Sequence, residues 1–257
     1  MEPLLHQLER TVTIHARPAT VFRYFTDSAR FATWWGAGST IDARVGGAVH
    51  IKHPGGVETL GEVLEIEPPE RIVFTYGFAS GRPIPAGSSR VTIRLEPAGA
   101  AGTRLHLLHE LPDAATRDEH VQGWRFQLSV FANVVANEVF SGAAEGMVDG
   151  WFDAWAVPDP QARAAAFEAV AEAGVTFRDR YSLLEGVSDL SAHAGAAQRF
   201  MPGLRMRRKG GIRHCQGVVL ADWVVVSESD GVERMSGTNV FMLSVEGKIA
   251  SAAGLAK

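Results

Sequence analysis

The alternation of apolar and polar positions in the first half of the chain predicts strands that follow two short helices. The run "TVTIHA" at 11–16 alternates as a strand does, and Pro18 suits the first turn of a helix. That helix carries Val21, Phe22 and Phe25 on one face. Further strand-like runs stand at 45–53, 60–67, 71–79, 89–96 and 103–111. We therefore predict an antiparallel sheet over this half.

A long amphipathic helix is predicted after the last of these strands, at about 115–140. Its apolar residues recur with spacings of 3, 4, 3 and 4, at Val121, Trp124, Leu128, Phe131 and Val135. This spacing is that of one helix face, so we expect the helix to lie across the sheet.

The second half has the opposite order, with helices first. Apolar residues at helical spacing are Val148, Trp151, Phe152 and Trp155, followed by Phe167 and Val170. A short strand "VTFR", a helix after Ser188, and three or four strands from 204 to 254 follow. Ser, Gly and Ala are concentrated at 141–146, which predicts a boundary between domains at 1–142 and 146–257. Each half is predicted to be α+β.

Composition is typical of a soluble globular protein, with 46% hydrophobic and 21% charged residues among 257. The formal net charge of −4 argues against a nucleic-acid partner. Neither a membrane span nor a secretory leader is indicated, so we expect a cytoplasmic protein. Cys215 is the single cysteine, and no residues have metal-ligand spacing, so we expect no disulfide, metal or cofactor.

Four segments in order resemble one family: "IHARPATVFRYFTDSARFATWWG", "GEVLEIEPPERIVFTY", "GTRLHLLHE" and "HVQGWRFQLSVFANV". They are similar to the START-like (SRPBCC) superfamily, in the branch of the activator of heat-shock protein 90 ATPase, over about residues 8–140. The resemblance implies a helix-grip, in which a curved sheet wraps the long helix around a cavity. Relatives bind lipids, hormones or polyketides, catalyse cyclisations, or serve chaperones, so fold alone leaves function open.

Strand alternation identifies polar residues that would face this cavity. On one strand, His109 shares a face with Leu105 and Leu107. On a second strand, Glu62 shares a face with Leu64 and Ile66. On a third, Tyr76 shares a face with Ile72 and Phe74. Glu62, Tyr76 and His109 could orient a ligand in an apolar pocket. The structural alternatives are that Glu62 reaches solvent and that His109 is a hydrogen-bonded core residue.

Aromatic residues supply the candidate walls. Asp27 can cap a short helix that carries Trp34 and Trp35, and adjacent side chains diverge. We expect one of the two to pack in the core and the other to line the cavity mouth. Trp124 and Phe131 on the long helix are core residues that also serve as ligand wall.

The second half resembles the nuclear transport factor 2-like superfamily, in its SnoaL-like branch, over about 145–255. The similar features are the aromatic helix "MVDGWFDAW", "VTFRDRY", "FMPGL" and "GTNVFMLSVEGKI". The resemblance implies a cone-shaped sheet around a pocket. Relatives include ketosteroid isomerases and polyketide cyclases. The resemblance implies that Asp179 falls where such enzymes place a general base. Asn239 falls where the isomerase keeps a protonated aspartate that donates to the oxyanion, and an amide is a weaker donor than that carboxylic acid.

Departures from the isomerase pattern leave a structural alternative open. The first helix offers Trp151 and Trp155 where the isomerase has a tyrosine. Arg178 and Arg180 flank Asp179, so an ordinary ion-paired carboxylate is the other interpretation. His214 and Asp222 share one phase of a later strand and face either the pocket or a dimer surface.

Three functions are consistent with these patterns. The first is binding of small hydrophobic or amphipathic molecules in both cavities, with Trp34, Trp35, Glu62, Tyr76, His109, Trp124, Phe131, Trp151, Trp155, His214 and Asp222 as ligand contacts. The second is an isomerase or cyclase that uses Asp179 and Asn239 on a carbonyl compound. The third is a chaperone ATPase activator. A homodimer through the second domain is plausible from the family.

Overall fold

Two β-sheets organise the chain, one in each of the two units into which it divides, Met1–Ala136 and Asn137–Lys257. The computed structural model describes residues 4–99, 101–140, 143–244 and 246–257. Residues 141 and 142 of the predicted boundary segment lie outside this described part.

The first sheet is antiparallel throughout, in the order β1-β7-β6-β5-β4-β3-β2. Its strands are β1 (His6–Ile14), β2 (Thr40–Ile41), β3 (Ala48–Lys52), β4 (Glu58–Glu67), β5 (Arg71–Tyr76), β6 (Ser89–Ala98) and β7 (Gly102–Leu111). Burial alternates along β3, β6 and much of β7, so one face of the sheet is packed.

Three helices cover the packed face of this sheet: α1 (Pro18–Arg23), α2 (Ser28–Trp35) and α3 (Ala114–Phe140). Pro18 begins α1 as predicted, and Asp27 caps α2 by accepting hydrogen bonds from the backbone N–H groups of Ala29 and Arg30. The predicted apolar stripe of α3 joins the core through Trp124, Leu128, Phe131 and Val135.

The second sheet has the order β10-β11-β12-β13-β8-β9 and is antiparallel except between β13 and β8. Its strands are β8 (Ala171–Arg178), β9 (Leu183–Glu185), β10 (Leu204–Cys215), β11 (Val218–Ser227), β12 (Glu233–Leu243) and β13 (Ile249–Ala256). The helices of this unit are α4 (Ala143–Ala154), α5 (Pro160–Val170) and α6 (Gly186–Phe200).

A buried arginine joins α5 to α6. Arg163 is 4% exposed, and its guanidinium donates to the carbonyl oxygens of Ser191, Val157 and Pro158 at 2.8–3.0 Å. Gly195 leaves the space for it, because a Cβ at that position would lie 2.5 Å from an Arg163 Nη. The guanidinium thus satisfies carbonyl groups that would otherwise be buried without partners.

The predicted fold class, α+β with large antiparallel sheets, is confirmed. The differences concern element ends. The run predicted as a four-residue strand belongs to β8, which begins directly after α5 at Ala171. Helix α6 begins at Gly186, where φ is +81°, two residues before Ser188. β1 begins at His6 because its pairing with β7 extends to Leu111.

Candidate functional site

The first unit contains a cavity of about 380 Å³ beside α3 and β5, here called the first cavity. Its lining is largely aromatic, and comprises Trp35, His53, Pro54, Tyr76, His120, Gly123, Trp124, Phe126 and Gln127. Gly123 stands inside α3, and a Cβ there would meet no atom within 4 Å. A larger side chain at this position would therefore extend into open space beside the cavity.

Polar side chains in this lining are His53, Tyr76, His120 and Gln127, and the Gln127 amide donates to the Trp34 carbonyl oxygen. Burial lowers the pKa of His53, whose Nε2 lies 3.3 Å from the Thr59 hydroxyl. Burial raises the pKa of Tyr76 despite a hydrogen bond with Thr59, so its phenol is neutral. His120 Nδ1 donates to the Thr116 carbonyl oxygen at 2.7 Å, and its other ring nitrogen, Nε2, is buried. That buried Nε2 has no hydrogen-bond partner among the described residues.

His109 is a fully buried core residue, which corrects the prediction that it contacts a ligand. The Trp124 indole N–H donates to its Nδ1 at 2.9 Å, so Nε2 carries the hydrogen and donates to Ser89 Oγ at 2.8 Å. Ser89 in turn donates to the Tyr76 carbonyl oxygen at 2.8 Å. Burial, reinforced by His120, lowers the pKa of His109 to about 3. This neutral ring positions the Trp124 wall of the cavity.

Trp34 and Trp35 are both buried, at 3% and 4% exposure, which corrects the expectation that one lies at the mouth. Both rings are enclosed because the sheet and α3 cover the short helix α2. The centroids of the two rings lie 4.4 Å apart. Trp34 packs on Phe131, and its indole N–H donates to the Tyr24 carbonyl oxygen at 3.2 Å. Of the pair, Trp35 lines the cavity.

Two further predicted contacts of the first cavity are corrected. Glu62 is exposed, because the β4–β5 register shifts between Val63 and Glu65 and reverses the expected alternation. Val63 takes the inward position at 0% exposure. Phe131 is also 0% exposed and packs within the aromatic core, so it forms no wall.

The second unit contains a cavity of about 430 Å³, here called the second cavity. Its walls are mostly apolar. The aromatic and sulfur-containing residues in them are Trp155, Phe177, Tyr181, Phe200, Met201, Met206, Trp223 and Met235. The polar side chains of the lining are Asp179, Arg180, Ser182, His193 and Asn239. A mainly apolar hollow of this size with a few polar groups is the usual form of a small-molecule site.

Asp179 and Asn239 meet at one wall of this cavity, beside Gly254 of β13. A Cβ at Gly254 would lie 3.3 Å from Asn239 Oδ1 and 3.4 Å from Asp179 Cβ. Asn239 is 3% exposed, and Asp179 Oδ1 accepts the backbone N–H of Tyr181 at 2.8 Å. The glycine thus allows a carboxylate and a carboxamide to share one side of the pocket.

His193 and Trp223 are two lining residues of this cavity that the sequence patterns did not identify. The Nε2 of His193 lies 3.2 Å from the Ser182 hydroxyl, and its ring contacts the edge of Trp155. His193 shares a face of α6 with Ala196, Ala197 and Phe200, a spacing of i, i+3, i+4 and i+7 that could have identified it. Trp223 could have been identified from its alternation with Val225 along β11.

Of the remaining predicted contacts, Trp155 lines the second cavity and the others are corrected. Trp151 is 0% exposed and packs among Phe167, Phe177 and Phe241, because α4 turns it into the core.

Neither His214 nor Asp222 lines the second cavity, and they lie on different strands, β10 and β11, which corrects the expectation that they share one phase. His214 Nδ1 lies 2.9 Å from Asn137 Oδ1, and its Nε2 accepts the Gly217 N–H. Asp222 alternates with the inward Ala221 and Trp223 of β11, and a hydrogen bond from Thr238 lowers its pKa. Strand alternation therefore places Asp222 on the outer face of the sheet. His214 pairs with the buried Val219 and lies on the opposite face, where its ring packs on Phe140.

Within residues 4–99, 101–140, 143–244 and 246–257, no group of three or more His, Cys, Asp or Glu side chains could hold a metal ion. Over the same residues, no helix is both long and apolar enough to pass through a lipid bilayer.

Comparison with known proteins gives one family match and several structural neighbours. One similar solved structure is a SnoaL-like family protein from Agrobacterium tumefaciens, described as a putative isomerase, with 23% identity over 44% of this chain and 96% of that chain and a TM-score of 0.42. Another is the Aha1 dimer from Colwellia psychrerythraea, with 14% identity over 50% of this chain and 94% of that chain and a TM-score of 0.44. A third is an Hsp90 activator from Plasmodium falciparum, with 24% identity over 48% of this chain and 92% of that chain and a TM-score of 0.40. No curated protein matches by sequence. Residues 15–136 match the family described as Activator of Hsp90 ATPase homolog 1-like protein.

Proposed function

We propose that this protein binds small, largely apolar molecules, and that the second cavity is the principal site. The observation that carries the proposal is a cavity of about 430 Å³ with apolar walls and one polar wall formed by Asp179 and Asn239. The first cavity, of about 380 Å³ and largely aromatic lining, is a second site. On this proposal the chain joins a START-like domain at 1–142 to a SnoaL-like domain at 146–257.

A neutral fluorescent probe tests the proposal. N-phenyl-1-naphthylamine has an apolar body that suits either cavity, and its emission rises on transfer from water. Ala197 lines the second cavity, so Ala197→Phe is expected to remove the signal from that site. Ala192→Phe, exposed on the same helix, is the matched control and should bind as the natural chain does.

The first cavity has its own pair of variants on α3. Gly123→Leu is expected to obstruct it, whereas Gln122→Leu, at an exposed neighbouring position, is expected to leave it open. Absence of saturable probe binding by the natural chain would contradict the proposal. So would binding that survives both Ala197→Phe and Gly123→Leu.

The Asp179–Asn239 wall favours a second candidate, an isomerase or cyclase acting on a carbonyl compound. Asp179 would remove a proton α to the carbonyl, and the Asn239 amide N–H would donate to the developing oxyanion. Incubation of β,γ-unsaturated cyclic ketones with the protein in D₂O, followed by NMR, would detect α-proton exchange. Asp179→Asn should abolish the exchange and retain probe binding. Exchange that is unchanged in Asp179→Asn would exclude this role.

The match of residues 15–136 supports a third candidate, activation of an Hsp90 ATPase. Addition of the protein to a purified Hsp90 would then raise its ATPase rate. An unchanged ATPase rate at saturating protein would argue against this candidate. Light scattering of the protein without Hsp90 would test the predicted homodimer.

A further inference from the structure

The second cavity adjoins a groove at the ends of β8 and β13 that carries positive charge. The groove has a volume of about 590 Å³. It shares with the cavity the lining residues Asp179, Arg180, Tyr181, Met235, Gly254 and Ala256. A molecule held in the cavity can therefore extend one end into the groove.

Cations outnumber anions in this groove. Its charged side chains are Arg178, Arg180, Lys257 and Asp179, which give a net charge of about +2 at neutral pH. The side chains of Arg178 and Arg180 are exposed and form no ion pair with a described carboxylate. Elsewhere on the same unit, Arg205, Arg208 and Lys209 are each paired with an acidic residue.

The acidic groups near this groove are already engaged. Asp179 Oδ1 accepts the Tyr181 N–H, so one oxygen of this carboxylate is directed to the backbone. The nearby Asp222 accepts a hydrogen bond from Thr238, which lowers the pKa of its carboxyl, and the positive charge of Lys257 adds to this effect. Arg178 and Arg180 have no carboxylate partner among the described residues. The Arg180 guanidinium lies over the Tyr181 ring, 5.6 Å from its centroid, and this contact leaves its N–H groups able to meet an external anion.

The mouth of the cavity is rimmed by apolar side chains that are exposed. Tyr181 is 79% and Phe200 is 85% exposed, and Met201 and Met235 are each more than 40% exposed. All four line the cavity. Clustered exposed apolar residues commonly mark a binding site, and here they stand beside two unpaired arginines.

We propose that the ligand of the second cavity is an amphipathic acid whose apolar body occupies the cavity while its anionic group meets Arg178 and Arg180. This inference rests on the proposed ligand-binding function and specifies the ligand class. Carboxylate, sulfonate and phosphate groups share the required chemistry, because each accepts hydrogen bonds from a guanidinium.

Two probes with the same body separate the charge from the apolar contact. 8-Anilinonaphthalene-1-sulfonate has the anilinonaphthalene body of N-phenyl-1-naphthylamine and adds one sulfonate. The probe fluorescence that arises from the second cavity is the difference between the natural chain and Ala197→Phe. The test variant is Arg178→Gln/Arg180→Gln. Arg205→Gln/Arg207→Gln, with the same net charge and no residue in the lining, is the control.

The test variant is expected to bind the sulfonate probe about tenfold more weakly, from two partly exposed charge contacts, and the neutral probe within about twofold of the natural chain. Raised salt should weaken only the sulfonate probe. The control variant should bind both probes as the natural chain does.

Three results would overturn the inference. If neither probe binds saturably, the proposed function fails and the inference fails with it. If both probes bind but the test variant changes them equally or not at all, only the inference fails. If the two arginines control binding to phosphatidylglycerol vesicles and not to the sulfonate probe, the rim is a membrane contact instead of an acid-binding site.

Discussion

Replacement of His109 by glutamine should remove a specific pH dependence of stability. The folded pKa of His109 is about 3, whereas an unfolded histidine has a pKa of about 6.5. Below about pH 6.5 the unfolded chain therefore binds a proton that the folded chain refuses, so stability is lost as the pH falls through this window. Between pH 7.5 and pH 5 the loss amounts to about 2 kcal/mol.

Glutamine is the appropriate substitute because it does not titrate and it keeps both hydrogen-bonding roles. Its Oε1 can accept the Trp124 indole N–H, and its amide can donate to Ser89 Oγ, as the imidazole does. At pH 5 the expected loss depends almost wholly on the unfolded pKa, since a ring with a folded pKa below about 4 is mostly unprotonated there.

Urea unfolding of the full chain at several pH values, followed by tryptophan fluorescence, measures this effect. Hydrogen exchange of peptides from β6 and β7 identifies the transition of the first unit. The other histidines are common to both proteins and cancel in the difference. The free energy of unfolding of the natural chain, relative to His109→Gln, should fall by about 2 kcal/mol from pH 7.5 to pH 5. A difference that is independent of pH would show that the folded ring binds a proton in this range and would refute the reasoning.

The remaining predictions concern glycine positions and a helix cap. Gly195→Ala should cost about 2 kcal/mol in urea unfolding, because the new Cβ would displace the buried guanidinium of Arg163 from its carbonyl partners. Gly146→Ala, on an exposed turn of α4 with no atom within 4 Å, should instead stabilise by about 1 kcal/mol, and equal effects at the two sites would contradict the packing argument. Asp27→Ala should cost about 1 kcal/mol through loss of the α2 cap, whereas Asp27→Ser should retain most of the stability in the same thermal or urea measurement.

Periodicity predicted the elements well where one face of an element is buried. The stripe from Val121 to Val135 predicted α3, and its members are buried or partly buried against the first sheet. The N-cap at Asp27 was also predictable, because capping is a local interaction between a side chain and the next turn. Periodicity failed for Glu62, since a register shift within β4 depends on pairing with β5 and leaves no trace in the alternation.

The candidate site was less accessible to prediction than the fold. Resemblance to a family pointed to Asp179 and Asn239, and their place in one cavity wall depends on how β8, β12 and β13 curve beside Gly254. Trp151 and Trp155 have the same apparent role in the sequence. The structure separates them, since Trp151 is in the core and Trp155 lines the cavity.

The sequence by itself determined which segments form strands and helices, and the α+β class of the chain, because periodic burial and capping act over a few neighbouring residues. Only the tertiary structure decided which apolar side chains fill space and which surround it. It also decided that His109 is enclosed, that His120 Nε2 is buried without a partner among the described residues, and that two arginines stand beside the second cavity without an ion pair to a described carboxylate. These properties depend on contacts between segments far apart in the chain, and local patterns do not specify such contacts.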